Sequence, residues 1–155
     1  MSPSIVLIEP VIPQNTGSIA RTTAATRSAL HLVGPLGFEL SDRYLKRAGL
    51  DYWPETRVTV HENWQQFLEA THCGNDNLWF FSTKAEKSYL AVEYTQADYL
   101  VFGSETAGLP RSFHERYAER MLRIPIDNPK VRSLNLASAA TVALYEARRQ
   151  LGLMK

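Results

Sequence analysis

Val101-Phe102-Gly103-Ser104-Glu105-Thr106-Ala107-Gly108-Leu109-Pro110, then Arg123-Ile124-Pro125-Ile126, then Ser133-Leu134-Asn135-Leu136-Ala137-Ser138-Ala139-Ala140: the reading of this chain turns on these three successive pieces. Tyr99 to Phe102 is a short apolar run that Gly103 ends, and Leu122 to Ile126 is a second run interrupted by Pro125. Each has the length and composition of a buried strand running straight into a loop. From Asn135 to Leu151 the apolar residues Leu136, Ala140, Ala143, Leu144, Ala147 and Leu151 recur at helical spacing, which predicts a helix with Ser133 or Asn135 as its N-cap. The first turn of such a helix offers free backbone N–H groups to whatever lies between the two corners.

Upstream the same alternation holds. Ile5 to Ile8 is a β-branched and Leu run closed by Pro10 and Pro13, and Asn15-Thr16-Gly17-Ser18-Ile19-Ala20-Arg21 opens a helix reaching about Arg27. Leu30 to Val33 is a strand ended by Gly34-Pro35, and Asp42 to Ala48 is a short basic helix stopped by Gly49. Arg57 to Val60 alternates as a strand does, Glu62 to Ala70 places Trp64, Phe67 and Leu68 on one helical face, and Leu78 to Ser82 is a strongly apolar strand after a loop at Cys73 to Asn77. Repeated strand-then-helix units predict an α/β fold, a mostly parallel sheet with helices on both faces and its ligand at the strand C-termini.

Composition bounds the function. The 155 residues, 45% hydrophobic and without a composition shift, are expected to form one domain spanning residues 1–155. Seventeen Lys and Arg against sixteen Asp and Glu leave a net charge of +1, which excludes nucleic-acid binding by charge alone. Any RNA contact must be local, or assembled by pairing two chains. The lone Cys73 excludes an intramolecular disulfide, no secretory signal is present, and the apolar runs are too short to cross a bilayer. The expected setting is the cytoplasm, with no membrane partner.

Several chemistries are missing their motifs. Neither G-x-G-x-x-G nor G-x-x-x-x-G-K-[ST] occurs, which removes dinucleotide and P-loop sites. His31, His61, His72 and His114 are scattered with no pair at metal-ligand spacing, so no metal is expected. Ser104 follows Gly103 directly, unlike the G-x-S-x-G elbow of a hydrolase. Asn15, Gly17 and Arg21, or Gly103, Glu105 and Gly108, or Ser133 and Asn135, can each be read singly as cap, turn and solvated charge. Their co-occurrence argues for more. Three corners expected at one sheet edge carry Arg, Glu, Ser and Asn beside glycines that let a ligand approach the backbone.

Asn15-x-Gly17-x-x-x-Arg21, Phe102-Gly103-Ser104-Glu105-x-x-Gly108-Leu109, and Arg123-Ile124-Pro125 leading to Ser133-Leu134-Asn135-Leu136 resemble, in order and spacing, the three motifs of the SPOUT class of RNA 2′-O-ribose methyltransferases. The resemblance spans nearly the whole chain. Within the class, the stretch Leu45-Lys46-Arg47-Ala48-Gly49-Leu50-Asp51-Tyr52 and the lack of an appended RNA-binding domain are similar to the minimal TrmL (YibK-like) branch. The resemblance implies a C-terminal trefoil knot as the cofactor site, and small residues at 137–140 would permit the close backbone passage a knot requires. It also implies S-adenosyl-L-methionine as donor, S-adenosyl-L-homocysteine as product, a homodimer, and the wobble ribose, cytidine or uridine, of leucine tRNA anticodons as acceptor. By motif position the cofactor is expected against the backbone of Phe81, Gly103, Ile124 and Leu134, with Ser133 alongside. The loop from Asp127 to Arg132 is one residue longer than the common pattern.

Methyl transfer from a sulfonium to a ribose hydroxyl is an in-line displacement, in which the protein aligns the reactants and helps the hydroxyl lose its proton. The expected catalytic set is Arg21, Glu105, Ser133 and Asn135, with Asn15 holding the first corner. A guanidinium has a pKa above about 12 and no acceptor, so Arg21 is assigned to orienting the hydroxyl or its phosphate. Arg43, Lys46, Arg47, Arg148 and Arg149 are candidate phosphate contacts for the anticodon stem-loop of tRNA, with Tyr52, Trp53 and Tyr145 available for stacking. The runner-up is a catalytically silent RNA-binding scaffold on the same fold.

Overall fold

The structure, a computed structural model, describes residues 1–49 and 54–155. Tyr52 and Trp53, the end of the Leu45 to Tyr52 stretch, and the side chain of Lys46 lie outside the described residues. Six strands, β1 (Ser4–Ile8), β2 (Ala29–Val33), β3 (Arg57–His61), β4 (Leu78–Phe81), β5 (Tyr99–Phe102) and β6 (Met121–Leu122), form one sheet in the order β3-β2-β1-β5-β4-β6. Every pairing is parallel. The helices are α1 (Pro13–Thr26), α2 (Arg43–Gly49), α3 (Trp64–Thr71), α4 (Arg111–Arg116) and α5 (Leu136–Gln150).

Strand periodicity sorts the core into two layers. Ile5, Leu7, Trp79, Phe81, Leu100 and Phe102 point to the face that Ile19 and Ala20 of α1 and Ala140, Ala143, Leu144 and Ala147 of α5 cover. Val6, Ile8, Leu78, Phe80 and Val101 point to the other, against Phe67 of α3 and Phe113 of α4. Central strands buried on both faces must be apolar throughout, as Leu78-Trp79-Phe80-Phe81 is; the edge strand β3 is mostly exposed, with His61 at its end buried. The α/β expectation is met.

Two local expectations needed correction. Asn15 is not the cap of α1: the helix starts at Pro13, favoured at a first helical position, and its N-cap Ile12 makes no side-chain cap bond. Of the two caps expected for α5, Ser133 or Asn135, it is Asn135 that serves, its Oδ1 accepting from the Ser138 N–H at 3.2 Å. The strand expected from Leu122 to Ile126 stops at Leu122 because its continuation pairs elsewhere. The Ser82 N–H donates to the Leu122 carbonyl at 3.0 Å, the Arg123 N–H donates to the Lys87 carbonyl at 2.8 Å, and the Tyr89 N–H donates to the Arg123 carbonyl at 2.9 Å. Residues 82–89, leaving β4, thereby close around residues 122–123.

The histidines are not all scattered. On the parallel β2/β3 ladder His31 is in register with Thr59 and Val33 with His61, so His31 and His61 are diagonal neighbours on one face. Their Nδ1 and Nε2 atoms lie 2.9 Å apart and the rings stack at 5.2 Å, with Phe67 edge-on to both. One ring must donate and the other accept, which requires an acceptor nitrogen without a proton. Burial, and then repulsion from His61, holds the His31 pKa down to about 4. An unfolded His31 takes its proton near 6.5, so between that pH and about 4 the unfolded chain holds more protons and stability falls as pH falls. Urea midpoints measured from pH 7.5 to pH 4 should decline steadily below about 6.5, and less steeply in His31→Gln. Equal slopes would contradict this.

Candidate active site

The loops leaving β1, β4, β5 and β6 gather at one edge of the sheet, as the C-termini of parallel strands must. The loop after β5 is closed on itself. The Ser104 N–H donates to the Gly108 carbonyl, the Gly108 N–H returns to the Ser104 carbonyl at 2.9 Å, and the Ala107 N–H donates to Ser104 Oγ at 3.0 Å. Gly108 turns the chain with φ +67°. A Cβ at Gly103 would stand 2.1 Å from the Gly108 carbonyl carbon and 2.2 Å from the Leu109 nitrogen. The loop's own backbone therefore already demands glycine at 103, whatever lies in the cavity beside it.

This closure aims Glu105 at the first turn of α1. Its Oε1 accepts the Val11 N–H at 3.0 Å, and its Oε2 accepts the Ile12 N–H at 2.8 Å and the Asn15 Nδ2–H at 3.3 Å. A carboxylate from another corner thus binds donors at the start of a helix whose own cap residue has no polar side chain, with the favourable sign for the helix dipole. Asn15, nearly buried, in turn accepts from Asn135 Nδ2 at 3.0 Å, and Asn135 caps α5. One hydrogen-bonded chain therefore joins the corner after β1, the loop after β5 and the start of α5.

Above this chain lies a cavity of about 1060 Å³, within whose lining are Phe81, Gly103, Ile124, Ser133 and Leu134, the residues expected at the cofactor, together with Asn15, Glu105 and Asn135. Arg21 is not among them. It stands exposed on α1, on the helix that Thr22 joins to α5 through a 3.3 Å contact with Thr141. Lys84, Arg111, His114 and Arg132 also line the cavity and were missed. Lys84 follows β4 as Glu105 follows β5, so the strand-end rule, applied to every strand, would have found it. The cavity's size and its mix of Phe81, Phe102, Ile124, Ile126 and Leu136 with open loop backbone suit an organic cofactor carrying a flat ring. Among the described residues no His, Cys, Asp and Glu group is placed to hold a metal ion.

The candidate phosphate contacts on the last helix are otherwise engaged. Arg148 donates to Ser2 Oγ and to the carbonyls of Thr26 and Leu153, tying both termini to α1, and Arg149 forms a bidentate pair with Glu146. Arg43 lies over the Tyr44 ring and donates to its hydroxyl, while Arg47 is exposed.

Residues 2–145 match the SpoU rRNA Methylase family. The chain belongs to that family. This SpoU methylase is 49% identical over 150 residues to the tRNA (cytidine(34)-2'-O)-methyltransferase of Saccharophagus degradans, with 96% of each chain covered. It is 47% identical over 150 residues to the Escherichia coli enzyme of the same name, covering 96% of this chain and 94% of that one. A solved structure concerned with 2-OH methylation of C/U34 on tRNA superposes with a TM-score of 0.87 at 48% identity, over 96% of this chain and 90% of the other. An AdoMet-bound rRNA methyltransferase from Sinorhizobium meliloti superposes at 0.84 with 26% identity, over 97% of this chain and 57% of its own.

Because Glu105 accepts three hydrogen bonds at the start of α1, Glu105→Ala should lower stability by about 1 kcal/mol, as loss of a helix cap does. It should also weaken S-adenosyl-L-methionine binding, since the cavity wall moves. Gly103→Ala should do both as well. Denaturant midpoints and calorimetric titration check the pair; a Gly103→Ala protein of unchanged stability would contradict the backbone contact at 103.

Proposed function

We propose that this SpoU methylase, acting through a single domain spanning residues 1–155, methylates the ribose 2′-hydroxyl of the wobble nucleotide of tRNA, cytidine or uridine 34, with leucine tRNAs as the expected acceptors. Its setting is the cytoplasm and its working form a homodimer. The observation that carries the reading is the hydrogen-bonded chain Glu105–Asn15–Asn135, which draws the three motif corners to the rim of one cavity. Near-50% identity over almost the full length to enzymes named for this reaction supports it. The embrace of residues 122–123 by residues 82–89 supports a chain threaded as a trefoil knot.

When bound, S-adenosyl-L-methionine supplies a methyl group on a sulfonium, and its departure leaves the bonding pair on sulfur. Phe81, Gly103, Ile124 and Leu134, which line the cavity, would hold the cofactor. Glu105, Asn15 and Asn135 act as positioning residues, because their hydrogen-bonding atoms are already committed to one another and to the helix starts. Ser133 is assigned to meet the ribose, a role supported by its exposed place in the cavity lining.

Arg21 must act from elsewhere. It adjoins Thr22 at the α1–α5 contact, and Val142 and Tyr145 on α5 are 41% and 37% exposed, an apolar face suited to a second copy. In the homodimer Arg21 orients the hydroxyl or phosphate bound at the partner's cavity. Arg21→Ala should then lower turnover roughly a hundredfold with cofactor affinity nearly unchanged, and Arg21→Lys, lacking the planar fork, should recover little. Mixed dimers of an Arg21→Ala chain with a Glu105→Ala chain should regain activity. Labelled methyl transfer to tRNA, with the product nucleoside identified, measures all of these. A silent scaffold would release no S-adenosyl-L-homocysteine.

A further inference from the structure

Lys84 and His114 line two cavities at once. Beyond the first cavity lies a second of about 790 Å³, walled by Asp76, Lys84, Glu86, Lys87, His114, Glu119 and Arg120. The divide between them is held firmly. Ser82 pins the turn that carries Lys84, its carbonyl accepting the Ala85 N–H at 3.2 Å and its Oγ the Lys84 N–H at 3.1 Å, while its own N–H is bonded to Leu122. His114 sits on α4 next to Phe113, which is buried against Phe80 and Trp64. The floor is built as well: Arg120 stacks at 3.5 Å on Trp79 and donates to the carbonyls of Leu78 and Asp76.

The two parts differ in chemistry. The Lys84 ammonium and a His114 imidazole N–H, shared by both cavities, suit a phosphate, whereas the lining that belongs to the second cavity alone mixes the carboxylates of Asp76, Glu86 and Glu119 with the cations Lys87 and Arg120. Those carboxylates suit the N–H donors on a base edge, such as an exocyclic amine. Only an unpaired nucleotide can place its base in such a pocket while its phosphate stays outside.

We propose that the second cavity receives the base of the nucleotide adjoining the methylated one, while Lys84 and His114 grip the phosphate that links the two. The proposal rests on the reading of the first cavity as an RNA 2′-O-methyltransferase site. It gives this nearly neutral chain a local way to hold single-stranded RNA in register with the methyl donor.

The test uses anticodon stem-loop RNA, intact or with one abasic nucleotide on either side of the target. Lys84→Ala and His114→Ala, checked for folding by circular dichroism, should each raise the RNA KM about tenfold with kcat little changed, and Lys84→Ala, which removes a charge, should reduce the slope of log KM against log salt by about 0.7. An abasic nucleotide on one side only should lower wild-type kcat/KM by about tenfold or more, and the Glu86→Gln, Glu119→Gln double variant should lose most of that discrimination. Unchanged KM and salt slope in Lys84→Ala, equal tolerance of both abasic RNAs, or a loss confined to S-adenosyl-L-methionine affinity would each overturn the subsite. If the wild type methylated no stem-loop, the methyltransferase reading would fail instead. Fluorescence anisotropy of the same RNAs would still test the subsite, a Lys84→Ala affinity equal to wild type counting against it.

Discussion

The carboxylate of Glu105 is the contact on which the site depends. Helix α1 begins at a proline after Val11 and Ile12, neither of which has a polar side chain to cap it. Backbone N–H groups at this start, those of Val11 and Ile12 among them, are exposed. Glu105 accepts from two of them and from Asn15, and can do so only because the loop from Gly103 to Leu109 folds back on itself at a distance no side chain at 103 would allow. Glycine 103, the closed loop, the carboxylate and the helix start form one dependency. The Asn15–Asn135 bond then extends it to α5.

That dependency changes how the polar motif residues are understood. Residues that look like a catalytic inventory divide by what their atoms already do. Glu105, Asn15 and Asn135 are occupied with one another, and a group whose lone pairs are committed to helix donors holds a wall in place more than it moves a proton. Ser133 remains at the cavity, and Arg21 remains outside it on the same helix as Asn15. The active geometry is thereby a frame assembled from three loops, around which apolar side chains such as Phe81 and Ile124 leave room for a flat ring.

Much of this was legible from residue order. The apolar runs at Ile5, Leu30, Leu78 and Tyr99 carry the period and length of buried parallel strands, and Ala140, Ala143, Leu144 and Ala147 mark the buried stripe of α5, because burial acts on side chains one at a time and leaves its trace in the local pattern. The corners were legible for the same reason, since glycine and proline at 103, 108, 110 and 125 must interrupt that pattern. Pairings between distant residues left no such trace. Nothing near His31 points to His61, Arg148 reads as a solvated cation although it binds the carbonyls of Thr26 and Leu153, and the continuation of β6 reads as a strand although its partner is the loop at Lys87 and Tyr89.

The sequence by itself determined the α/β class, the placing of the polar corners at strand ends, and the motif types that mark the family, because each depends on the conformational and solvation preferences of neighbouring residues. Only the tertiary structure decided what each polar group binds. Hydrogen bonds are short and directional, and whether Glu105 meets a solvent molecule, a ribose or the N–H of Ile12 depends on where a residue some ninety positions away is carried by the sheet. Register, loop closure and the pairing of residues 82–89 with 122–123 are properties of the whole chain folded at once, and they set the difference between a list of motif residues and a built cavity.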